Sequence, residues 1–264
     1  NISRGYASWK RVKEVLNSTS ALKDGTFDKN TKSRGIIEFR DVCFSYPDSS
    51  KTVLEHINLT VQQGETVAVM GATGCGKSSL VNLIPRFYDV TSGMILVDGV
   101  DVREYKQKAL REKIAITLQK SELFSTKIRE NILWGKIDAD DKAIKYAANI
   151  AQADDFISST AEGYHTLVAE RGMSLSGGQK QRISIARAVL KPAEILIFDD
   201  STSALDLKTE ADLYEALQKS HPDSTKIIVA QRIASVRRAD RIVVLDNGRI
   251  AAVGTHKELQ KNCP

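Results

Sequence analysis

Alternating hydrophobic and polar positions predict antiparallel β-strands in the N-terminal part of the chain. Residues 36–46 alternate in this way, and the alternation changes phase near Asp41, which predicts a β-bulge or bend there. Residues 57–61 alternate as well and predict a second half-buried strand. Between residues 94 and 102 the dipeptide Asp98-Gly99 separates two apolar runs, a pattern typical of a β-hairpin.

Short, continuous apolar runs predict strands of another kind, buried on both faces as in a parallel sheet. The runs at 66–70 and 194–198 have this character, and the second one leads into two aspartates. We expect these two strands to lie side by side at the centre of a sheet. Two further strands are predicted at 226–230 and 241–245.

Helical periodicity and helix-forming composition predict most of the remaining elements. Residues 8–16 place apolar side chains at helical spacing. The stretch 106–187 is predicted to be mostly helical, most clearly at 143–153 and 177–189. Thr255-His-Lys-Glu258 is a capping box, which predicts a final helix.

Composition and charge limit the classes of protein. The chain has 264 residues, 42% of them hydrophobic, which suffices for one large domain or two small ones. Its net charge of +5 belongs to residues 1–34, which hold eight basic and three acidic residues, so the rest of the chain is neutral. A nucleic-acid partner would require a basic surface on the folded body, and none is expected. A basic linker at 1–34 suits a position beside a cytoplasmic membrane face, although a merely solvated tail would carry the same charge.

Three further features describe the context of the chain. The three cysteines are too scattered for a disulfide framework or a zinc site, which favours a reducing compartment. No apolar run approaches the ~18 residues that a membrane-spanning helix needs. The chain starts with Asn1 rather than Met, which predicts an excised fragment.

The strongest chemical motif is Gly71-Ala-Thr-Gly-Cys-Gly-Lys-Ser78, which fits the phosphate-binding P-loop pattern. A predicted strand precedes it, and residues 79–84 predict the start of a helix after it. The glycines let the backbone N–H groups surround a phosphate chain, and the helix N-terminus adds partial positive charge. Lys77 would bind the β- and γ-phosphates and the Ser78 hydroxyl would ligate Mg²⁺, so the motif predicts binding of a nucleoside triphosphate.

A second motif, Leu175-Ser-Gly-Gly-Gln179, is followed by a predicted helix. Together with the P-loop, Gln119, the acidic strand end and Ser203-Ala-Leu-Asp206, it resembles the ATP-binding cassette (ABC) family over residues 36–260. The implied fold is an α/β P-loop ATPase core with a mixed sheet, an antiparallel β subdomain and a helical subdomain at about 118–187 that carries the signature. The cassette would occupy residues 35–264.

The resemblance is narrower still, because 118–124, 128–132 and 170–172 look like cassettes fused to the membrane domains of ABC exporters. In those proteins a helix like residues 8–16 follows the last spanning helix. The resemblance therefore implies a transmembrane domain before Asn1 and a location at the cytoplasmic face of a membrane.

The family's ligands, ATP and Mg²⁺, imply roles for matching residues. Tyr46 would stack on adenine, and a buried core tyrosine is the less favoured alternative. ATP would be bound by Tyr46, Gly71, Ala72, Thr73, Gly74, Cys75, Gly76, Lys77, Ser78 and Ser79. Mg²⁺ would be held by Ser78, Gln119 and Asp199.

ABC cassettes pair head to tail, so each contributes to two sites. A second nucleotide-binding cassette is therefore an implied partner. The ATP bound on that partner would be contacted by the signature residues Leu175, Ser176, Gly177, Gly178 and Gln179. The D-loop residues Ser203, Ala204, Leu205 and Asp206 would lie near the interface, with Asp206 across it.

The candidate catalytic residues are Asp200, Gln231 and Gln119. The first two depart from the family pattern. The family has glutamate where this chain has Asp200 and histidine where it has Gln231. An aspartate withdraws the carboxylate by ~1.5 Å, and misplacements near 1 Å cost about a hundredfold in rate. Gln231 neither carries charge nor titrates. The two departures together predict a site that binds Mg²⁺ and ATP but hydrolyses weakly.

The intact signature then favours a heterodimeric exporter, in which this chain completes a competent site on a partner that carries Glu and His. The signature of that partner is expected to differ from Leu-Ser-Gly-Gly-Gln. A homodimeric ATPase with Asp200 as a working base, and a regulatory nucleotide-binding subunit, are the open alternatives. A soluble ABC protein of DNA repair or translation is disfavoured, since the sequence has neither a long inserted coiled coil nor a second cassette.

Overall fold

The computed structural model describes residues 2–17, 22–47, 49–169, 172 and 174–262. Within these residues the strands are, in chain order, β1 (Ile37–Ser45), β2 (Thr52–Val61), β3 (Thr66–Met70), β4 (Ser92–Val97), β5 (Val100–Asp101), β6 (Ile114–Thr117), β7 (Ile195–Asp199), β8 (Thr225–Val229), β9 (Arg241–Asp246) and β10 (Arg249–Gly254). The helices are α1 (Ile2–Leu16), α2 (Lys77–Leu83), α3 (Gln107–Glu112), α4 (Ile128–Leu133), α5 (Asp141–Ile150), α6 (Asp154–Ser158), α7 (Gly177–Leu190), α8 (Leu207–Ser220), α9 (Ile233–Val236) and α10 (His256–Asn262).

The smaller sheet is antiparallel, with the strand order β2-β1-β4-β5. The register of β1 shifts between Phe39 and Val42, and Asp41 has a φ of 50°, so the predicted bulge is confirmed. The predicted hairpin is also confirmed, because β4 and β5 pair across Asp98 and Gly99, both at positive φ. Such a turn matches the right-handed twist of the flanking strands.

The larger sheet has the strand order β10-β9-β3-β8-β7-β6, and only β10 runs antiparallel to its neighbour. The expectation that β3 and β7 lie side by side is wrong. Strand β8 is inserted between them and pairs with both, and all five of its residues are buried. A continuous apolar run identifies a central strand but does not fix its order in the sheet.

Hydrophobic cores lie on both faces of the larger sheet. Ile195 and Ile197 of β7 belong to the core shared with α2 and the antiparallel sheet. Leu196 and Phe198 belong to the opposite core, which is built largely from α5, α7 and α8. Because side chains alternate between the two faces of a strand, this explains why residues 195–198 of β7 are all apolar.

The region 106–187 is less helical than predicted, because it contains β6 at the edge of the larger sheet. This strand pairs in parallel with β7 and is too short to be distinguished from a helix by periodicity. The helices predicted within 8–16, 143–153 and 177–189 are confirmed by α1, α5 and α7.

Residues 22–34, which we call the N-terminal strap, contact the folded body although their composition predicts a linker. Phe27 packs edge-on against Tyr105 with ring centroids 5.0 Å apart, and the Gly25 N–H donates to the carbonyl of the same tyrosine. The Thr31 hydroxyl donates to Asp98 over 3.1 Å. Among the described helices, none combines the length and apolar character needed to cross a membrane.

Candidate nucleotide-binding site

Four neighbouring parallel strands bring the candidate residues together at one edge of the larger sheet. The P-loop follows β3, Gln119 follows β6, and Gln231 follows β8. Asp199 is the last residue of β7, and Asp200 comes directly after it. Since the carboxyl ends of parallel strands meet at one edge, these side chains line a shared cavity of about 340 Å³.

The P-loop turns sharply from β3 into α2. Gly76 is the N-cap of α2 at a φ of 103°, and no side chain caps this helix. Its first N–H groups therefore have no side-chain acceptor and are available to an anion. At Gly71 (φ 150°) a Cβ atom would lie 2.1 Å from the carbonyl oxygen of Leu245, so only glycine fits between the loop and β9.

Lys77 is nine-tenths buried beneath the loop, with 8% of its surface exposed. Its Nζ donates to the carbonyl oxygens of Gly71 and Ala72 at 2.7 and 2.8 Å and lies 3.8 Å from the Cys75 Sγ. These contacts fix a positive charge at the base of the cavity, where phosphate oxygens would bind.

Ser78 and Asp199 form the part of the site suited to a hard cation. The Ser78 hydroxyl donates to Asp199 Oδ1 over 3.0 Å. Burial raises the pKa of Asp199, the neighbouring Asp200 adds to the effect, and the Ser78 hydrogen bond and Lys77 oppose it. A hydroxyl and a carboxylate are oxygen ligands of the type Mg²⁺ prefers, so the pair fits a magnesium ion bound with phosphate.

Asp200 occupies the left-handed region of the backbone map, with a φ of 48°. Its Oδ2 accepts hydrogen bonds from the side-chain amides of Gln231 at 3.0 Å and Gln119 at 3.3 Å. Both glutamines among the candidate catalytic residues therefore contact Asp200 directly. Left-handed backbone is tolerated better by Asp than by most longer side chains.

Tyr46 lies just beyond the end of β1, at the mouth of the same cavity. Its hydroxyl and the Ser79 Oγ are 2.7 Å apart. Phe44 and Tyr88 pack edge-on or nearly so against its ring, with centroids 4.8 and 5.1 Å away. Tyr46 is half-buried, so it is held by the core while part of it faces the cavity.

Sequence comparison assigns the chain to a family. A family model described as ABC transporter matches residues 54–203, more than half of the chain. The chain belongs to the ABC transporter family. In agreement with the predicted fold class, the structure combines a P-loop core with a mixed sheet, an antiparallel sheet and helical elements.

Individual relatives of this ABC cassette are longer than the chain. It is 48% identical over 259 residues to a Bacillus subtilis protein described as "Putative multidrug export ATP-binding/permease protein YgaD", of which it spans 45%. It is 49% identical over 226 residues to a Staphylococcus aureus protein of the same description, of which it spans 39%. A solved bacterial Atm1-family ABC exporter with ATP bound superposes with a TM-score of 0.92 at 35% identity, over all of this chain and 46% of that one. The chain thus spans less than half the length of these relatives.

The signature motif of the cassette lies outside the P-loop cavity. Ser176 is the N-cap of α7 and forms a reciprocal capping box with Gln179. Ser176 and Gly177 are exposed, whereas Gly178 is half-buried against the carbonyl of Ala204. The motif therefore presents a helix N-terminus to solvent beside the D-loop, and the structure does not bring it to the chain's own P-loop.

The D-loop, Ser203–Asp206, is held by two residues that the sequence did not single out. The side chain of Gln181 accepts from the Ala204 N–H over 2.9 Å and donates to the Ser203 hydroxyl over 3.1 Å. Arg232 donates to the carbonyls of Ser203 and Leu205 at 2.6 and 2.8 Å. The only sequence signal for either residue is its position, just after the signature and just after Gln231.

Asp206 has a structural role in addition to the position expected for it. Its carboxylate is the N-cap of α8 and accepts from the N–H groups of Lys208 and Thr209. These hydrogen bonds lower the pKa of Asp206.

Among the described residues, no cluster of three or more His, Cys, Asp or Glu side chains is arranged to hold a metal ion. A magnesium ion at Ser78 and Asp199 would therefore depend on phosphate oxygens for further ligands.

Proposed function

We propose that this chain is the nucleotide-binding cassette of an ABC exporter and binds ATP with Mg²⁺ in the P-loop cavity. The uncapped N-terminus of α2 and the buried Lys77 ammonium suit a polyphosphate. Ser78 and Asp199 would hold the cation, and Tyr46 would offer an aromatic surface to the adenine. Bound Mg²⁺ would neutralise phosphate charge and polarise the terminal phosphoryl group.

The observation that carries the weak-hydrolysis part of the proposal is the environment of Asp200. Its Oδ2 already accepts two amide hydrogen bonds, from Gln119 and Gln231, and its side chain is one methylene shorter than that of the family's glutamate. A general base must reach the attacking water, and the two amide hydrogen bonds orient this shorter carboxylate toward Gln119 and Gln231. Gln231 supplies no positive charge to the developing phosphate. The chain would therefore hold ATP and turn it over slowly.

The exposed signature supports a second cassette as partner. Its helix N-terminus, at Ser176 and Gly177, faces solvent and is intact in sequence. A phosphate chain bound on another cassette could therefore be contacted there without rearrangement of α7. We propose that this chain completes the hydrolytic site of a different cassette, one that carries Glu and His.

A transmembrane partner is supported by an exposed aromatic pair close to the segment that follows β6. Phe124 and Trp134 stack with centroids 4.9 Å apart and are 51% and 59% exposed, and the Arg187 guanidinium lies 5.6 Å from the Phe124 ring. Exposed aromatics with an arginine are typical of protein interfaces. Since the relatives are described as multidrug export ATP-binding/permease proteins, we propose a permease domain as occupant, at the cytoplasmic face of a membrane.

Phosphate release at saturating Mg²⁺ and ATP tests the proposal, with ATP affinity measured separately. We expect the native chain to bind ATP and release little phosphate. The double variant Asp200→Glu/Gln231→His should increase release by about tenfold or more, because a reaching base and a titratable partner are restored. Matched exchanges at exposed positions, Asp138→Glu/Gln63→His, should change nothing.

Two results would contradict the proposal in different ways. If the native chain hydrolyses briskly and Asp200→Asn abolishes that activity, Asp200 is a working base and a homodimeric ATPase is the better interpretation. If Lys77→Ala leaves ATP affinity unchanged, the cavity is not the nucleotide site. The melting temperature of each variant shows whether lost activity reflects unfolding.

A further inference from the structure

A second cavity of about 340 Å³ lies on the opposite face of the larger sheet from the antiparallel sheet. It is enclosed by α8, α9 and the strands β3, β7 and β8. Its volume falls within the range of small-molecule sites, at the lower end. Its apolar and aromatic wall consists of Phe198, Tyr214, Leu217, Ile228 and Ala239.

One polar side chain in this wall lacks a partner. Ser235 in α9 is 8% exposed, and its Oγ has no hydrogen-bond partner in the described part of the chain. Leaving a buried hydroxyl unpaired costs free energy of folding. Ser235 lines the cavity, so rotation of its side chain toward a ligand there would pair the hydroxyl and remove this cost.

The charged groups around the cavity are already paired. Glu215 at the mouth accepts from Lys219 over 2.7 Å and lies 3.9 Å from Arg238. The buried Lys226 donates to two backbone carbonyls, and Asp240 accepts from the Thr66 N–H. The interior therefore offers aromatic surface and neutral hydrogen-bonding groups rather than a free charge.

We propose that this cavity is a binding site for an uncharged, flat aromatic or heteroaromatic molecule whose single hydrogen-bonding group pairs with Ser235. The aromatic and aliphatic wall suits a planar apolar body, and the unpaired hydroxyl fixes its orientation. A charged molecule of the same size is disfavoured, because burying it would leave its charge without a counterion.

The cavity wall is connected to the nucleotide site at three points. Phe198 directly precedes Asp199 in β7. The Tyr214 hydroxyl is 3.2 Å from the Thr202 Oγ1, which in turn donates to Glu210, so Tyr214 touches the segment that leads into the D-loop. Ser235 lies in the short helix that begins just after Gln231. We therefore expect an occupant to change ATP affinity, and this consequence rests on the proposed function, whereas the binding site itself does not.

The probe is 5-fluoroindole, which is uncharged and flat and carries one N–H donor, and its binding is followed by fluorine NMR line broadening on the whole chain. We expect saturable binding that weakens about fivefold or more in Ser235→Ala, since a hydrogen bond of about 1 kcal/mol is lost. Ala239→Leu, which fills the cavity, should abolish binding. The exposed exchange Ser158→Ala should leave it unchanged, and 4-fluorobenzoate and 4-fluorobenzylammonium should bind more weakly.

The melting temperature of Ser235→Ala shows whether weaker probe binding reflects a lost hydrogen bond or an unfolded chain. Because this variant removes an unpaired hydroxyl, it should unfold at the same or a higher temperature than the native chain. The proposal is overturned if 5-fluoroindole shows no saturable binding, or if Ser235→Ala and Ala239→Leu bind it as the native chain does.

A saturating concentration of 5-fluoroindole should shift the ATP affinity of the chain by about fivefold. An unchanged ATP affinity would overturn the connection between the sites. Failure to bind ATP at all would overturn the proposed function while the probe result stands.

Discussion

The buried carboxylate of Asp199 lies in the P-loop cavity and lowers the free energy of unfolding of the ligand-free chain. Asp199 is 2% exposed, and among the described residues the Ser78 hydroxyl is the only hydrogen-bond donor to its carboxylate. Burial raises its pKa, so the folded chain holds the ionised form less readily than the unfolded chain does. Above the folded pKa the charge therefore lowers the free energy of unfolding, and this penalty fades as the pH falls through that pKa. A site prepared for a cation has this property until the cation binds.

Replacing Asp199 by Asn should stabilise the ligand-free chain. The amide can still accept from Ser78 but carries no charge, so at neutral pH the ligand-free variant should melt about 2–4 °C above the native chain. The advantage should shrink as the pH is lowered through the folded pKa, because the native carboxylate is then neutral too. Calorimetric melting over a pH series measures this difference.

The same exchange should remove the benefit of Mg²⁺ for ATP affinity, which is measured by titration with and without the cation. Asp138→Asn, at an exposed carboxylate, is the matched control and should alter neither property. A variant that is less stable than the native chain at neutral pH would show that Asp199 contributes through its hydrogen bond more than burial costs it.

At the scale of elements, the D-loop connects α7 to the segment that follows β8. Gln181 holds it from the side of α7, and Arg232 holds it from the side of α9. The same loop contacts Gly178 of the signature. A displacement of either element would therefore move the loop that the family places at the interface between cassettes.

We expect Gln181→Ala to loosen the D-loop locally. Gln181 is 7% exposed, and its loss removes the acceptor of the Ala204 N–H. Hydrogen exchange of that amide should speed up about fivefold, because a net hydrogen bond of about 1 kcal/mol protects it. Amides of β8 should keep their protection. The exposed exchange Gln63→Ala should leave the Ala204 amide unaffected, and equal exchange in both variants would show that Gln181 does not hold the loop.

The elements also show which features the sequence could predict. The P-loop with its strand and helix, the bulge at Asp41 and the hairpin at Asp98-Gly99 depend on local patterns, and all are present. The position of β8 between β3 and β7 could not be predicted, because pairing among buried apolar strands leaves no local signal. The Gln181 and Arg232 contacts were missed for the same reason, since each joins residues more than twenty positions apart.

At the scale of the whole molecule, one buried ionic cluster joins the strap and the two sheets. Lys113, just before β6, donates to Asp98 at 2.9 Å and to Glu194 at 2.7 Å. Asp98 lies in the hairpin of the antiparallel sheet and also accepts from Thr31 of the strap and from the Ile36 N–H. Burial opposes the charge on Lys113, but the two carboxylates outweigh it and raise its pKa. The two carboxylates therefore favour the charged form of the amine.

Lys113→Met should destabilise the whole chain rather than one sheet. The side chain of Asp98 is 0% exposed, so the variant leaves a buried carboxylate without its cation, at a cost of about 3–5 kcal/mol in the free energy of unfolding. Urea unfolding measures this cost. Adding Asp98→Asn should recover much of it, because the uncharged amide oxygen can still accept from the Ile36 N–H while its NH2 group donates to the Thr31 hydroxyl. Lys219→Met, which breaks the exposed pair with Glu215, should cost less than about 1 kcal/mol. If Lys113→Met costs no more than Lys219→Met, the cluster does not hold the sheets together, and the packing of Phe27 on Tyr105 would be the contact to test instead.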